Sequence, residues 1–208
     1  MPAHIQAAAW WDADSGPPVA ELLPRAERLA ADLSTRALAH VLGSLVERTA
    51  DSLAELPWVV GVPVGSKIVL GPGSALRRIV APGLAVGVVH AGAATLAMTL
   101  LEAMGLLADH DRVLVIFSQD ATPPHNEASA AALLLARTPS AKNELRLEVP
   151  QLRRSALRAR PELRPRPMLE TAIALARAAD VGRPTVETVP ADAADRPEHW
   201  RIELHHAF

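Results

Sequence analysis

The sequence contains no cysteine. That one absence removes a disulfide framework, a thiolate metal site and a cysteine nucleophile. It has no tyrosine and two phenylalanines in 208 residues, so four tryptophans carry a large share of the bulky apolar volume. No apolar run reaches the length needed to cross a bilayer. There is no surplus of one charge. With 21 Lys and Arg against 23 Asp and Glu, the net charge is −2, which excludes the basic footprint of a nucleic-acid binder. The opening residues MPAHIQAAAWWDADSG lack the cationic start and apolar core of a secretory signal. The expectation is a soluble cytoplasmic protein with no nucleic-acid partner and no membrane span. Half the residues are apolar and 21% are charged, an ordinary globular balance. The length suits one domain over 1–208 with a sizeable core.

What is present centres on Gly83 to Asp120. Gly83–Val89 is a continuous apolar, β-branched run, the pattern of a strand buried on both faces. His90, Ala91, Gly92, Ala93 and Ala94 then switch to small residues. From Thr95, the residues Leu96, Leu100, Ala103, Met104 and Leu107 recur at helical spacing. Val113–Phe117 is a second buried strand. Strand, helix and strand in this order predict a right-handed parallel crossover. Its strand-to-helix turn lies at the carboxyl edge of the sheet, where α/β proteins place their chemistry. His90 closes the strand there, either as a core histidine or as the lining of a vestigial pocket.

Around this unit, Ile5–Trp11 reads as a first strand and Arg25–Leu33 as a helix opened by Pro24. Ser34 is positioned to cap a second helix over Thr35–Arg48. Trp58–Val64 is a further strand, and Ala75–Val80 suits a short helix. Ala130–Arg137 and Glu144–Val149 read as a hairpin joined by turn-forming residues, its second strand having one wet face. Gln151–Arg166 carries six arginines and reads as a solvated connection rather than a phosphate patch. Met168–Ala179 is a helix burying Leu169, Ala172, Ile173 and Ala176. Arg183–Pro197 reads as loop, and His199–Ala207 as a closing strand. Trp58 and Trp200 are core anchors by preference, and one of the adjacent pair Trp10 and Trp11 is the better interface candidate. The layout predicts a layered α/β domain with a mixed sheet.

Catalytic motifs fail on spacing. Gly61 to Lys67 places Ser before Lys and lacks the four-residue gap of a phosphate loop, and Gly71-Pro72-Gly73 lacks a third glycine. No G-x-S-x-G elbow exists. The eight histidines form no H-x-x-x-H pair; His205 and His206 point apart on a strand, so a zinc site with His199 is disfavoured. Neither Asp109/Asp111 nor Asp192/Asp195 stands out as an acid and base pair.

The strand, the turn of small residues, the alanine-rich helix and the strand DRVLVIFSQDA together resemble the central crossover of the β-ketoacyl synthases, the thiolase-fold condensing enzymes. Their catalytic turn has the form T-A-C-[SA]-[ST]-G-x-x-A-[IL]. With Ala97-Met98 set on its closing pair, Ala91 falls on the cysteine, His90 on the residue before it and Ala94 on the glycine. A thiolate at that place is favoured by the following helix dipole; a methyl group keeps the size and removes the chemistry. The short chain length factor branch, known with aryl polyene and related fatty-acid-like or polyketide pathways, is more similar still. It shares the text after the first strand, the turn Ala91-Gly92 leading to Ala103, and Asp120-Ala121-Thr122-Pro123. The likeness covers Leu22 to Val149. An SVHN-type segment is not recognisable over Gly65–Ala81, and at this length a second half bearing catalytic histidines is not expected.

The resemblance implies a thiolase-like layered α/β/α half and a non-catalytic subunit without cofactor or metal. It implies a pseudo-symmetric heterodimer with a ketosynthase that works on acyl carrier protein, a homodimer being the alternative for the isolated chain. Leu84, Val86 and Val88 become the dimer strand, and His90, Ala91, Gly92 and Ala94 the vestigial nucleophile turn, which with the helix Ala94–Leu107 bounds chain length sterically. Two other readings stay open: a small serine hydrolase or acyltransferase using Ser66, Ser74 or Ser118, and a homodimeric structural protein without acyl function.

Overall fold

The computed structural model describes residues 1–49, 52–63, 86–119, 128–140, 144–154, 168–191 and 198–207. Strand β1 is Ala3–Trp11, followed by a short helix α1, Arg25–Ala30, and a longer one, α2, Leu33–Thr49. The expected cap of α2 is displaced. Asp32 rather than Ser34 accepts the Thr35 N–H, at 2.7 Å, while Ser34 is buried. A carboxylate serves better there because it satisfies an orphan donor and faces the positive end of the helix dipole.

The remaining elements are β2 (Trp58–Gly61), β3 (Val86–Val89), α3 (Thr95–Leu106), β4 (Arg112–Gln119), β5 (Ser129–Ala136), β6 (Leu145–Leu147), β7 (Gln151–Arg154), α4 (Met168–Asp180), β8 (Thr185–Pro190) and β9 (Glu198–His206). All nine strands join one sheet in the order β3-β2-β4-β5-β1-β6-β9, with β7 and β8 both paired to β9. β3, β2 and β4 are parallel, and the other pairings are antiparallel. The crossover through α3 therefore exists, but β2 lies between its two strands.

Four expectations fail, each for a physical reason. β5 and β6 are not a hairpin, because β1 runs between them. The sequence of β5, SAAALLLA, is apolar on both faces, and such a strand is stabilised with neighbours along both edges; β4 and β1 occupy them. The Arg-rich segment does not begin as a loop: Gln151–Arg154 pairs with Glu198–Arg201. The stretch read as loop after Arg183 holds β8, whose Thr185, Glu187 and Val189 stand opposite Leu204, Ile202 and Trp200. Finally, β3 is not enclosed by neighbours among the described strands. It pairs only with β2 among the described strands, and Val88 is 38% exposed. The expected short helix at 75–80 lies outside the described residues.

The sheet separates two cores. On one face, α2 seals Trp58, Val60, Leu114, Ile116, Leu134 and Trp11. On the other, α3 and α4 cover Val59, Val115, Phe117, Leu133, Ile202 and Leu204. Trp58 is fully buried, and its indole N–H donates to the Leu53 carbonyl at 2.9 Å. Trp11 is likewise buried, with its N–H on the Gly16 carbonyl at 2.8 Å. Trp10 points the other way and is half-buried, with the Arg177 guanidinium 5.9 Å from its ring centroid. α4 carries the expected stripe Leu169, Ala172, Ile173 and Ala176, all buried. β8, far from β3 in strand order, returns beside the turn Gly92–Ala94. The sheet thus curls around α3 and α4, which touch each other inside it.

Candidate functional site

The turn between β3 and α3 is built from backbone and one hydroxyl. Val89 ends the strand, its carbonyl accepting the Val62 N–H at 3.3 Å, so the ends of β2 and β3 stay together. Ala91 opens a short 3-10 turn over Gly92–Ala94, and the Ala94 N–H closes it on the Ala91 carbonyl at 3.0 Å. Gly92 has φ +56°, a left-handed conformation that a β-carbon would strain. The fully buried Thr95 hydroxyl receives the Ala91 N–H at 3.0 Å and donates to the Gly92 carbonyl at 2.8 Å. A single side chain thereby ties down both peptide groups of the bend.

Behind the bend the space is filled. Thr99, one helical turn after Thr95, donates its hydroxyl to the Thr95 carbonyl at 2.6 Å. Thr99, Phe117 and the backbone of Gly61 meet there: a β-carbon on Gly61 would lie 2.5 Å from Thr99 Oγ1 and 2.9 Å from Phe117 Cδ1.

The sequence-predicted residues fall as follows. Ala91 sits in the bend joining β3 to its helix, half-exposed, with Gly92 exposed and Ala94 buried. His90 is exposed; it is not a core histidine, because the strand ends at Val89 and the side chain leaves the sheet. Val88 lies on β3, which among the described strands pairs only with β2. Val86 is in the same strand, and Leu84 lies outside the described residues. Ser66 and Ser74 also lie outside them. Ser118, near the end of β4, is fully buried with no hydrogen-bond partner for its hydroxyl among the described residues; no described histidine is paired with it. Among the described residues, no group of three or more His, Asp or Glu could hold a metal ion, and no helix is long and apolar enough to cross a membrane.

One grouping was not anticipated from sequence. Trp10, Asp12 and Arg177 come together at the end of β1, with Arg177 paired to Asp12 while lying over Trp10. β1 runs parallel to β4 in this sheet, so the cluster shares the carboxyl edge with the Ala91 turn. The adjacent Trp pair was the available signal; the arginine is 165 residues from Asp12 in sequence.

The sequence matches no protein-family model and no curated protein. Solved structures do match. A 3-oxoacyl-(acyl carrier protein) synthase III, FabH, from Xanthomonas oryzae superposes with a TM-score of 0.61 at 12% identity, covering 98% of each chain. The corresponding synthase III from Aquifex aeolicus gives 0.59 at 10% identity, covering 99% of this chain and all of that one. An OleA variant from Xanthomonas campestris gives 0.50 at 15% identity over 74% of this chain; the chain spans 62% of OleA's length. The fold is therefore the thiolase-like α/β fold of these synthases, with a large mixed sheet, as expected from the sequence.

Proposed function

We propose that this protein is a non-catalytic, chain length factor-like subunit that pairs with a ketosynthase in type II fatty-acid-like or polyketide biosynthesis of the aryl polyene kind. The observation that carries the reading is Ala91. It occupies the strand-to-helix bend of a thiolase-like fold, the place where the resembling condensing enzymes hold a reactive cysteine. A methyl group there forms no thioester, and the chain has no other thiol. The rigid bend, the packed Thr99–Phe117 floor and α3 then act on a substrate only by shape: they bound the room for an acyl chain that a partner elongates.

The position of β3 at the end of the described strand order supports the pairing. No described strand pairs on its side away from β2, where Val88 is half-exposed and Met98 on α3 is also 39% exposed. An exposed edge strand is a template for another chain, and an antiparallel partner strand would satisfy its donors while covering these apolar groups. The test has two parts. The purified chain alone is expected to show no condensation or hydrolysis of acyl thioesters, and co-expressed with its ketosynthase it is expected to elute as a 1:1 complex that elongates carrier-bound acyl groups. Robust turnover by the isolated chain overturns the non-catalytic reading; failure of the two proteins to associate overturns the partnership.

A further inference from the structure

We draw no further inference here: the strongest candidate, the outward stripe of Met98, Leu101 and Gly105 along α3, carries nothing beyond the pairing already proposed at β3, because nothing in the structure shows what covers it.

Discussion

The ring of Phe117 lies against the backbone of Gly61, leaving no room for a side chain between them: an added β-carbon would be 2.9 Å from the ring and 2.5 Å from the Thr99 hydroxyl. Residues 61 and 117 are register partners on β2 and β4. Gly61→Ala must therefore push apart the strand pair and the helix above it. We expect a loss of about 1–3 kcal/mol, the usual cost of overpacking a core. Gly105→Ala is the matched control, because nothing lies within 4 Å of its added methyl group; it should stabilise by about 0.5–1 kcal/mol through lower unfolded-state entropy. Urea denaturation of both variants reads the contrast, and equal effects would contradict the described packing.

Trp58 offers a second test. Its indole is 1% exposed and donates to the Leu53 carbonyl. Trp58→Phe keeps most of the ring volume but leaves that carbonyl without its donor in the core. The expected cost is about 1–3 kcal/mol, visible as a lowered denaturation midpoint with an unchanged slope.

Thr95 holds the site bend through two hydrogen bonds. Thr95→Val preserves shape and removes both. Hydrogen exchange at the Ala91 amide should accelerate by roughly tenfold, matching the loss of about 1–1.5 kcal/mol for one net hydrogen bond, while amides in β4 and β5 keep their protection. Unaltered exchange at Ala91 would show that the hydroxyl is not what holds the bend.

Because the chain contains no cysteine, Ala91→Cys creates a protein with a single thiol. At a helix N-terminus its thiolate is favoured. We expect alkylation by iodoacetamide to be faster than that of Met98→Cys, which places a thiol on the exposed side of α3. The reverse order would mean that the bend does not present residue 91 to a ligand.

The proposed pairing through β3 gives the last prediction. Val88→Lys places a charge on β3, the last of the described strands in the sheet order, a common way of blocking strand addition. It should abolish co-purification with the ketosynthase, whereas Leu152→Lys, also at an exposed apolar position but on β7, should not. Loss of binding in both variants, or in neither, removes β3 as the contact.

Much of the architecture was legible because periodicity reports burial directly. The uninterrupted apolar run of Val113–Phe117 reads as an enclosed strand and the stripe Leu169, Ala172, Ile173 and Ala176 as a helix face against a core, and both are found so. The alternation of Leu145, Arg146 and Leu147 announced one buried and one wet face, and burial follows it. The bend at Ala91 was legible for the same reason, since the pattern changes from strand to helix there. Short polar strands were not. Thr185–Pro190 carries threonine, glutamate and proline, and Gln151–Arg154 has two arginines; both are strands only because β9 offers an edge to each.

The sequence by itself determined which segments must hide from water and where the chain must bend, because local pattern and residue size act over a few positions. It also determined that no thiol chemistry is available. Only the tertiary structure decided which strands are neighbours, since β5 has apolar faces that would accept several partners and long-range packing selected β1 and β4. The same packing set β3 at the end of the described strand order and brought Arg177 over Trp10. Those groupings depend on contacts between residues far apart in the chain, whose relative positions are set by the sheet as a whole.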